Sequence, residues 1–489
     1  MSSEPFDPIA DLDAAAALGD ALRAVGYSAG GIVELLGEDG PGADEPEVPV
    51  HARRLDDSLL ATVVRLCLLQ LPVPRSSLPP GIVGAFLATG LAVPDGDALR
   101  PRARIMPAEG LLLAFDGFAR GVDDPPGYVA PYTPTASWLA ALTPRRRARA
   151  ALDVGTGNGV HALLAARHSQ HVIATDVNPR ALAFTSINAA LNGLTNVETR
   201  QGSLFDPVVG ERFDLITCNA PYVVSPESKW QYRDSGLPAD EVSQRVVEQA
   251  AASLVDDGFA ALLVSWVAAS EEEPDVRLEQ WLEGNGCDAW VLELEAADPL
   301  DHAAGWNEHL SHDADQYGAA LDEWLAYFRQ LDVGWITEGA VLLHRRDGDD
   351  HVIRIDTAEA DDIERAGAQI ERAFASHARL ARLGGREALL DARVVLAPNV
   401  RVDEVLEPGA DEPDTRLALE EGTHVEYDLD PDVAEVVKVL NGQRTLGRAI
   451  DRVVRTFELD RREAAELRRD TLDEAEDLLA LGLAELRET

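Results

Sequence analysis

Between residues 151 and 344 the chain repeats one pattern: a short apolar run, then a longer segment whose apolar positions recur at helical spacing. The runs at 151–154, 172–175, 197–200, 213–217, 259–265, 289–294 and 339–344 predict seven strands alternating with helices. Such alternation implies an α/β fold with a parallel sheet covered on both faces. Ahead of it, helices are predicted over 10–25, 57–69 and 81–91; in the second, Leu59, Leu60, Val63, Val64, Leu66 and Cys67 keep the helical period. Proline breaks at 71–74 and 79–80 and a turn at 94–97 complete a small helical or winged-helix-like module over 1–102. Behind the sheet segment, 103–346, a third segment, 347–489, opens on a polar turn. It offers a strand at 351–355, a helix at 361–380, and then strand, helix, helix, helix and wing over 425–429, 433–440, 446–456, 461–479 and 482–486. The tract 407–414, EPGADEPD, reads as an acidic flexible loop.

Composition narrows the partners. Against 86 acidic side chains stand 43 basic ones, a formal net charge of −43, and only Lys229 and Lys438 are lysines. Nucleic-acid binding draws most of its affinity from neutralising phosphates, so this balance favours a protein partner while leaving nucleic acid possible. A local cluster, Arg145, Arg146, Arg147 and Arg149, precedes the first strand of the sheet, as a solvated helix end or a phosphate site. Three scattered cysteines, Cys67, Cys218 and Cys287, predict neither a disulfide framework nor a zinc knuckle, and a reducing compartment. The acidic start MSSEPFDPIADLD lacks a positive region and an apolar run, and no uncharged stretch approaches the roughly twenty residues that span a bilayer. A cytoplasmic protein with no membrane segment is expected; its oligomeric state is unspecified.

The chemistry concentrates at DVGTGNG, residues 153–159. Gly155, Gly157 and Gly159 allow the backbone a sharp turn and a close approach to a ligand, with Thr156 between them. Asp176, at the end of the next strand and followed by Val177, lies about twenty residues on, where a carboxylate can accept two ribose hydroxyls. Asp153 suits the cationic amino-acid tail of S-adenosyl-L-methionine better than the pyrophosphate of a dinucleotide, which a helix N-terminus would take. With Asn219, Ala220, Pro221 and Tyr222 after a later strand, the chain resembles the class I S-adenosylmethionine-dependent methyltransferases. Within them it is similar to the N-methyltransferases that carry an Asn-Pro-Pro-aromatic motif, including release-factor glutamine and small-domain base methyltransferases. The resemblance covers about half the chain. It implies S-adenosyl-L-methionine as cofactor, a seven-stranded Rossmann-like sheet, and adenine contacts at Ser203 and Leu204. The end of the chain loosely resembles the winged-helix peptide-recognition elements found beside peptide-modifying enzymes, although a plain stabilising or dimerising domain also fits.

Methyl transfer is an in-line displacement, so the protein must hold a nitrogen on the methyl axis and prepare its lone pair. The Asn219 side-chain carbonyl and the Ala220 backbone carbonyl can each accept a hydrogen from a target NH2, which returns electron density to a delocalised nitrogen without a strong base. Tyr222 can stack on the flat group. Ala220 departs from the usual proline; its oxygen remains, and Pro221 pushes it towards extended geometry. Upstream, PYTPT at 131–135 loosely resembles the Pro-Arg-Pro-acid-Thr string of release-factor glutamine methyltransferases, matching at Pro131 and Thr135 alone. After the motif, Tyr232, Arg233 and Asp234 lie in a long polar segment suited to orienting a substrate. His302, His309, His312 and Asp313 follow the sixth strand; local helix polarity explains them better than a metal, and none is expected. The preferred acceptor is a protein glutamine. An exocyclic amino group of an RNA or DNA base, or a noncatalytic cofactor-binding scaffold, are the alternatives.

Overall fold

The structure is a computed structural model, described for residues 8, 11–38, 40–42, 44–118, 127–219, 221–226, 237–348, 350–406, 414–423 and 427–487. Its centre is a large, mostly parallel sheet formed by β1 (Ala148–Val154), β2 (Ser169–Asp176), β3 (Val197–Gln201), β4 (Phe213–Cys218), β5 (Leu254–Ala268), β6 (Cys287–Ala297), β7 (Trp335–Arg345) and β8 (Ile353–Thr357). The strand order is β8-β6-β7-β5-β4-β1-β2-β3. All seven predicted strands lie in this sheet, and the seven-strand expectation is corrected to eight. The added strand, β8, pairs in parallel with β6 from Ala289↔Ile353 to Glu293↔Thr357. The polar turn before it folds back because the buried Asp288 accepts from Arg346 Nε at 2.7 Å and from the Val352 N–H at 3.0 Å. Pairing is parallel from β3 through β2, β1 and β4 to β5. The order reverses on either side of β1, and a crevice opens beyond the carboxyl ends of strands at such a switch point.

The chain divides into two compact units: residues 1–139, 146–285 and 296–341, and residues 140–145, 286–295 and 342–489. In the first, the N-terminal part contributes helices Leu12–Ala24 (α1), Ala29–Leu36, Val48–Arg54, Leu59–Cys67 and Pro80–Ala88. They accompany a three-stranded antiparallel sheet with Ala98–Pro101 at its centre and a hairpin of Arg104–Ala108 with Leu111–Phe115. In the second, the predicted helices appear as Gly367–Leu380, Pro431–Val437, Leu446–Thr456 and Arg461–Ala480. Strands Arg393–Leu396, Val400–Val405 and Asp414–Leu419 were not expected there. The residues at 400–403 alternate apolar and charged, but Glu404 breaks the period just before the acidic tract. Most of that tract lies outside the described residues. Among the described residues no helix is long and apolar enough to cross a membrane.

Helix α1 starts where the Asp11 side chain accepts from the Ala14 N–H at 3.0 Å and lies against helix α4 (Pro179–Leu191). Gly19 makes the approach possible, since a Cβ there would stand 2.0 Å from the Leu191 carbonyl oxygen. The same carbonyl accepts from Arg23 Nη2 at 2.7 Å, so a side chain at position 19 would break a partly buried bond as well as clash. Gly19→Ala should therefore lose about 1–3 kcal/mol despite its better helix propensity. Urea unfolding followed by circular dichroism checks this. A first transition midpoint equal to that of the parent contradicts the packing argument.

Candidate active site

The glycine loop joins β1 to helix α3 (Val160–Ala166), and the crevice forms above it. Gly159 is left-handed, at φ +88°, and a Cβ on it would meet Thr185 at 2.9 Å; only glycine brings this loop so close to α4. The Gly157 N–H donates to Asp176 Oδ2 at 3.0 Å, and the Asn178 N–H donates to Asp176 Oδ1 at 2.8 Å. Burial pushes the Asp176 carboxyl above its usual value, while backbone donors from Asn178, Gly157 and Val177 pull the other way. After β3, Gly202 N–H donates to the Asp176 carbonyl at 3.0 Å, and Leu204 sits in the left-handed region at φ +45°, its carbonyl accepting from Thr175 Oγ1 at 3.2 Å. A branched residue held there indicates backbone strain fixed by its surroundings.

A cleft of about 530 Å³ lies over these groups. Gly155, Thr156, Gly157, Asp176 and Val177 line one part, with Ser203 and Leu204. Asn219, Pro221, Tyr222, Val223, Leu237 and Val242 line another. The structure thus brings together every predicted cofactor residue except Asp153 and Gly159. Asp153 is buried behind the loop: Oδ2 accepts from Thr156 Oγ1 at 2.6 Å and from the Ala162 N–H at 3.1 Å, and Oδ1 accepts from Thr217 Oγ1 at 2.8 Å. Its place in the register explains this, for Asp153 pairs with Thr217 across β1 and β4 and not with the open rim. The side chain expected to meet a cationic tail instead fixes the loop from below. Its carboxyl is pushed up to about 6, chiefly by burial, against the pull of those three donors.

The Asn219 end is fixed by its neighbours. Ser265 on β5 donates its hydroxyl to the Tyr222 carbonyl, and the Ser265 N–H donates to Ser243 Oγ at 3.1 Å. Ala220, Tyr232, Arg233 and Asp234 lie outside the described residues. Thr135 lines the cleft, with its hydroxyl 2.9 Å from that of Thr133 at the start of helix α2 (Pro134–Leu142).

Several cleft residues were missed in the sequence. Tyr128, Val129 and Ala130 form a wall with Pro131, Thr133 and Ala136. His161 and Asn158 come from the loop and α3, and Trp306 from helix α6 (Pro299–Trp306). The histidine cluster resolves as polarity and packing. His302 stacks among Trp306, Trp324 and Phe328 with Nε2 donating towards the Val224 carbonyl at 3.2 Å, and Asp313 caps helix α7 (Ala314–Gln330). Among the described residues no group of three or more His, Cys, Asp or Glu could hold a metal. The arginine cluster is also engaged: Arg145 Nη2 donates to the Ala140 carbonyl at 2.7 Å, Arg146 pairs with Asp257 at 2.6 Å, and Arg149 lies 3.6 Å from Asp214.

The family described as Methyltransferase small domain matches residues 134–270, and a Domain of unknown function (DUF7059) matches residues 24–102. The chain is similar to the release factor glutamine methyltransferase of Deinococcus radiodurans, at 36% identity over 165 residues, 30% of this chain and 58% of that protein. It is also similar to the ribosomal protein uL3 glutamine methyltransferase of Bradyrhizobium diazoefficiens, at 30% identity over 164 residues, 30% of this chain and 50% of that protein. The chain spans about a quarter to just over half the length of the curated relatives it matches. Among solved structures, Trm5b from Pyrococcus abyssi aligns at 14% identity with TM-score 0.31, covering 52% of this chain and 62% of that one.

The buried carboxyl of Asp153 gives a pH signature. An acid whose folded-state value, about 6, lies above its ordinary 3.8 holds its proton more tightly when folded. Its stabilising contribution is then complete below the lower value and is lost as pH rises through the higher one. Relative to the parent, Asp153→Asn should gain stability as pH rises from about 4 to 6 and level off above. Paired denaturation curves across that range check it, and a difference independent of pH contradicts the burial argument.

Proposed function

We propose that this chain, a class I S-adenosylmethionine-dependent methyltransferase, transfers the methyl group of S-adenosyl-L-methionine to the side-chain amide nitrogen of a glutamine in a protein. The observation that carries the reading is the sharing of one cleft by Asp176, the glycine loop and Asn219. In this reading the ribose hydroxyls donate to Asp176, and Val177, Ser203 and Leu204 lie along the adenine. The bound cofactor supplies the methyl group. Asn219 accepts a hydrogen from the target NH2 through its side-chain oxygen, Ala220 accepts the other through its carbonyl, and Tyr222 stacks on the amide plane. Both acceptors strengthen as the nitrogen becomes positive, so they act on the transition state more than on the bound substrate. Thr135, Tyr232 and Arg233 are assigned to the acceptor side.

A protein acceptor is favoured on two grounds. The net charge of −43 opposes a polyphosphate, and the charges of Arg146 and Arg149 are opposed by Asp257 and Asp214. The relatives' names supply the glutamine. Residues 103–346 form the catalytic domain of this proposal. Residues 1–102 are assigned as a helical or winged-helix-like domain and residues 347–489 as an α+β, winged-helix-like one. The Asn219 chemistry also suits an exocyclic base nitrogen, so labelled methyl transfer into fractionated protein, RNA and DNA decides the acceptor. Label appearing in nucleic acid alone rejects the glutamine assignment.

Asp176→Ala should weaken binding of the demethylated product, S-adenosylhomocysteine, by about 2 kcal/mol, because the ribose loses a charge-assisted acceptor. For the parent, the affinity should fall as pH drops through the raised Asp176 value, since protonation turns an acceptor into a donor. Calorimetry across a pH series reads both. Undiminished binding by the variant removes Asp176 from the ribose site.

Asn219→Ala should keep S-adenosylhomocysteine affinity while slowing single-turnover methyl transfer by roughly a hundredfold. Quench-flow with the acceptor found by labelling measures it. A parental rate means that the amide is prepared elsewhere in the cleft.

A further inference from the structure

Asn158 stands between two glycines of the loop, and its side chain forms a fork. Oδ1 accepts from the Val160 N–H at 3.1 Å, while Nδ2 donates to the Ala130 carbonyl at 3.0 Å. Its own carbonyl accepts from Asn188 Nδ2 at 2.8 Å, and Asn188 is itself fixed, donating to the Ala114 carbonyl at 2.8 Å and accepting from the Ala114 N–H at 2.7 Å. Asn158 and Asn188 are both buried. One residue before Asn158, the Gly157 N–H holds Asp176. A continuous polar path therefore runs from Asp176 through Gly157 and Asn158 to Ala130. Ala130 belongs to the wall formed by Tyr128, Val129, Pro131, Thr133 and Thr135, which lines the same cleft as Asn219.

We propose that Asn158 is a positioning residue that couples cofactor occupancy to this wall, so that a ligand on Asp176 and the glycine loop fixes residues 128–136 and favours entry of the acceptor second. The inference rests on the cofactor reading above. A ligand that receives hydrogen bonds from the loop and donates to Asp176 restricts the Gly157–Asn158 peptide. The Asn158 fork then passes that restriction to the Ala130 carbonyl. Coupling of this kind is a shared equilibrium and is reciprocal: the acceptor also tightens the cofactor. The donor arm is the specific requirement. Aspartate at 158 would keep the acceptor for Val160 but set a second acceptor against the Ala130 carbonyl. Serine would keep a short acceptor and fail to reach Ala130.

Amide hydrogen exchange on the full chain, with and without saturating S-adenosylhomocysteine, tests this. In the parent, the ligand should slow exchange in peptides covering 155–166 and in those covering 128–136, the latter by about fivefold, at the low end of ordinary coupling. Asn158→Asp, and Asn158→Ser as a second variant, should keep the slowing at 155–166 and lose it at 128–136. Asn192→Ala serves as the control. It removes the bonds to the Leu112 backbone at 2.8 and 2.9 Å from the same helix without touching Asn158. This variant should be less stable yet retain ligand-dependent slowing at 128–136. Parental slowing in either Asn158 variant, or its loss in Asn192→Ala, overturns the inference. Failure of the parent to bind S-adenosylhomocysteine by calorimetry overturns the cofactor reading and this inference with it. Binding without slowing at 128–136 overturns the inference alone.

Discussion

The second edge of the hairpin strand Leu111–Phe115, and the backbone at Asp116 and Gly127 after it, are held by the polar side chains of one helix. From α4, Asn192 both donates to and accepts from Leu112, and Asn188 does the same for Ala114. In the first turn of the helix, Arg180 makes a two-pronged pair with Asp116 at 2.6 and 2.9 Å and donates to the Gly127 carbonyl at 2.6 Å. Asp116 in turn accepts from the Val129 N–H at 2.8 Å. Asn188 and Asn192 stand four residues apart, so both project from one helical face, and Leu112 and Ala114 stand two apart, as strand geometry requires for one edge. The helix thus acts as a neighbouring strand to Leu111–Phe115. Buried main-chain groups left without partners would each cost about 1–3 kcal/mol, and a buried ion pair that loses one member costs more still. Together these bonds anchor the backbone that leads into the wall of the cleft.

The two aspartates at the strand ends divide the work of the crevice. Both are raised by burial, yet their partners differ in kind. Asp153, at the end of β1, is met by two hydroxyls and one backbone N–H from the glycine loop, β4 and α3, which joins the two strands flanking the switch point to the loop above them. Asp176 is held by backbone N–H groups and lines the cleft. A carboxylate oriented by rigid backbone donors is preorganised for a second set of donors from a ligand, because little of it must reorganise on binding. The loop needs both. Without the lower acid its turn would lack a common acceptor, and without the upper one it would have nothing to present.

Much of this was legible in the chain because sheet and crevice follow from short-range patterns. Largely apolar runs mark six of the seven strands, VETR at 197–200 being the exception, and the glycine spacing with an acid about twenty residues on marks the loop and Asp176. What was missed depends on contacts distant in sequence. Asn188 and Asn192 lie in SINAALNGLTN, the first a poor helix former within the last turns of the helix and the second its C-cap, which is a local signal; their partners, some 75 to 80 residues upstream, are not. Asp153 was given a ligand-facing role because its position in the string suited one, and only the register with Thr217 shows where its carboxylate goes. Trp306 reaches the cleft from helix α6 through its packing with His302, a contact that no local pattern in the segment encodes. Strand β8 was recognised as a strand, but nothing in its five residues names β6 as its partner.

The Asn219 end follows a different principle from the cofactor end. There the backbone is fixed from behind by packing. Val223 and Val224 belong to an apolar cluster with Ala303, Trp324, Phe328 and Ile336, His302 meets the Val224 carbonyl, and Ser265 meets that of Tyr222. The N–H of Ala239, beyond the segment outside the described residues, donates to the Tyr327 hydroxyl at 3.0 Å. Helices α6 and α7, which supply Ala303, Trp324 and Phe328 to that cluster, thus hold the chain at Val223–Val224 and at Ala239, on both sides of the polar loop that follows the motif. Proline at position 220 would fix its own φ in the chain. Here packing around Val223 and Val224 and the bond from Ser265 to the Tyr222 carbonyl hold the chain after the motif from outside.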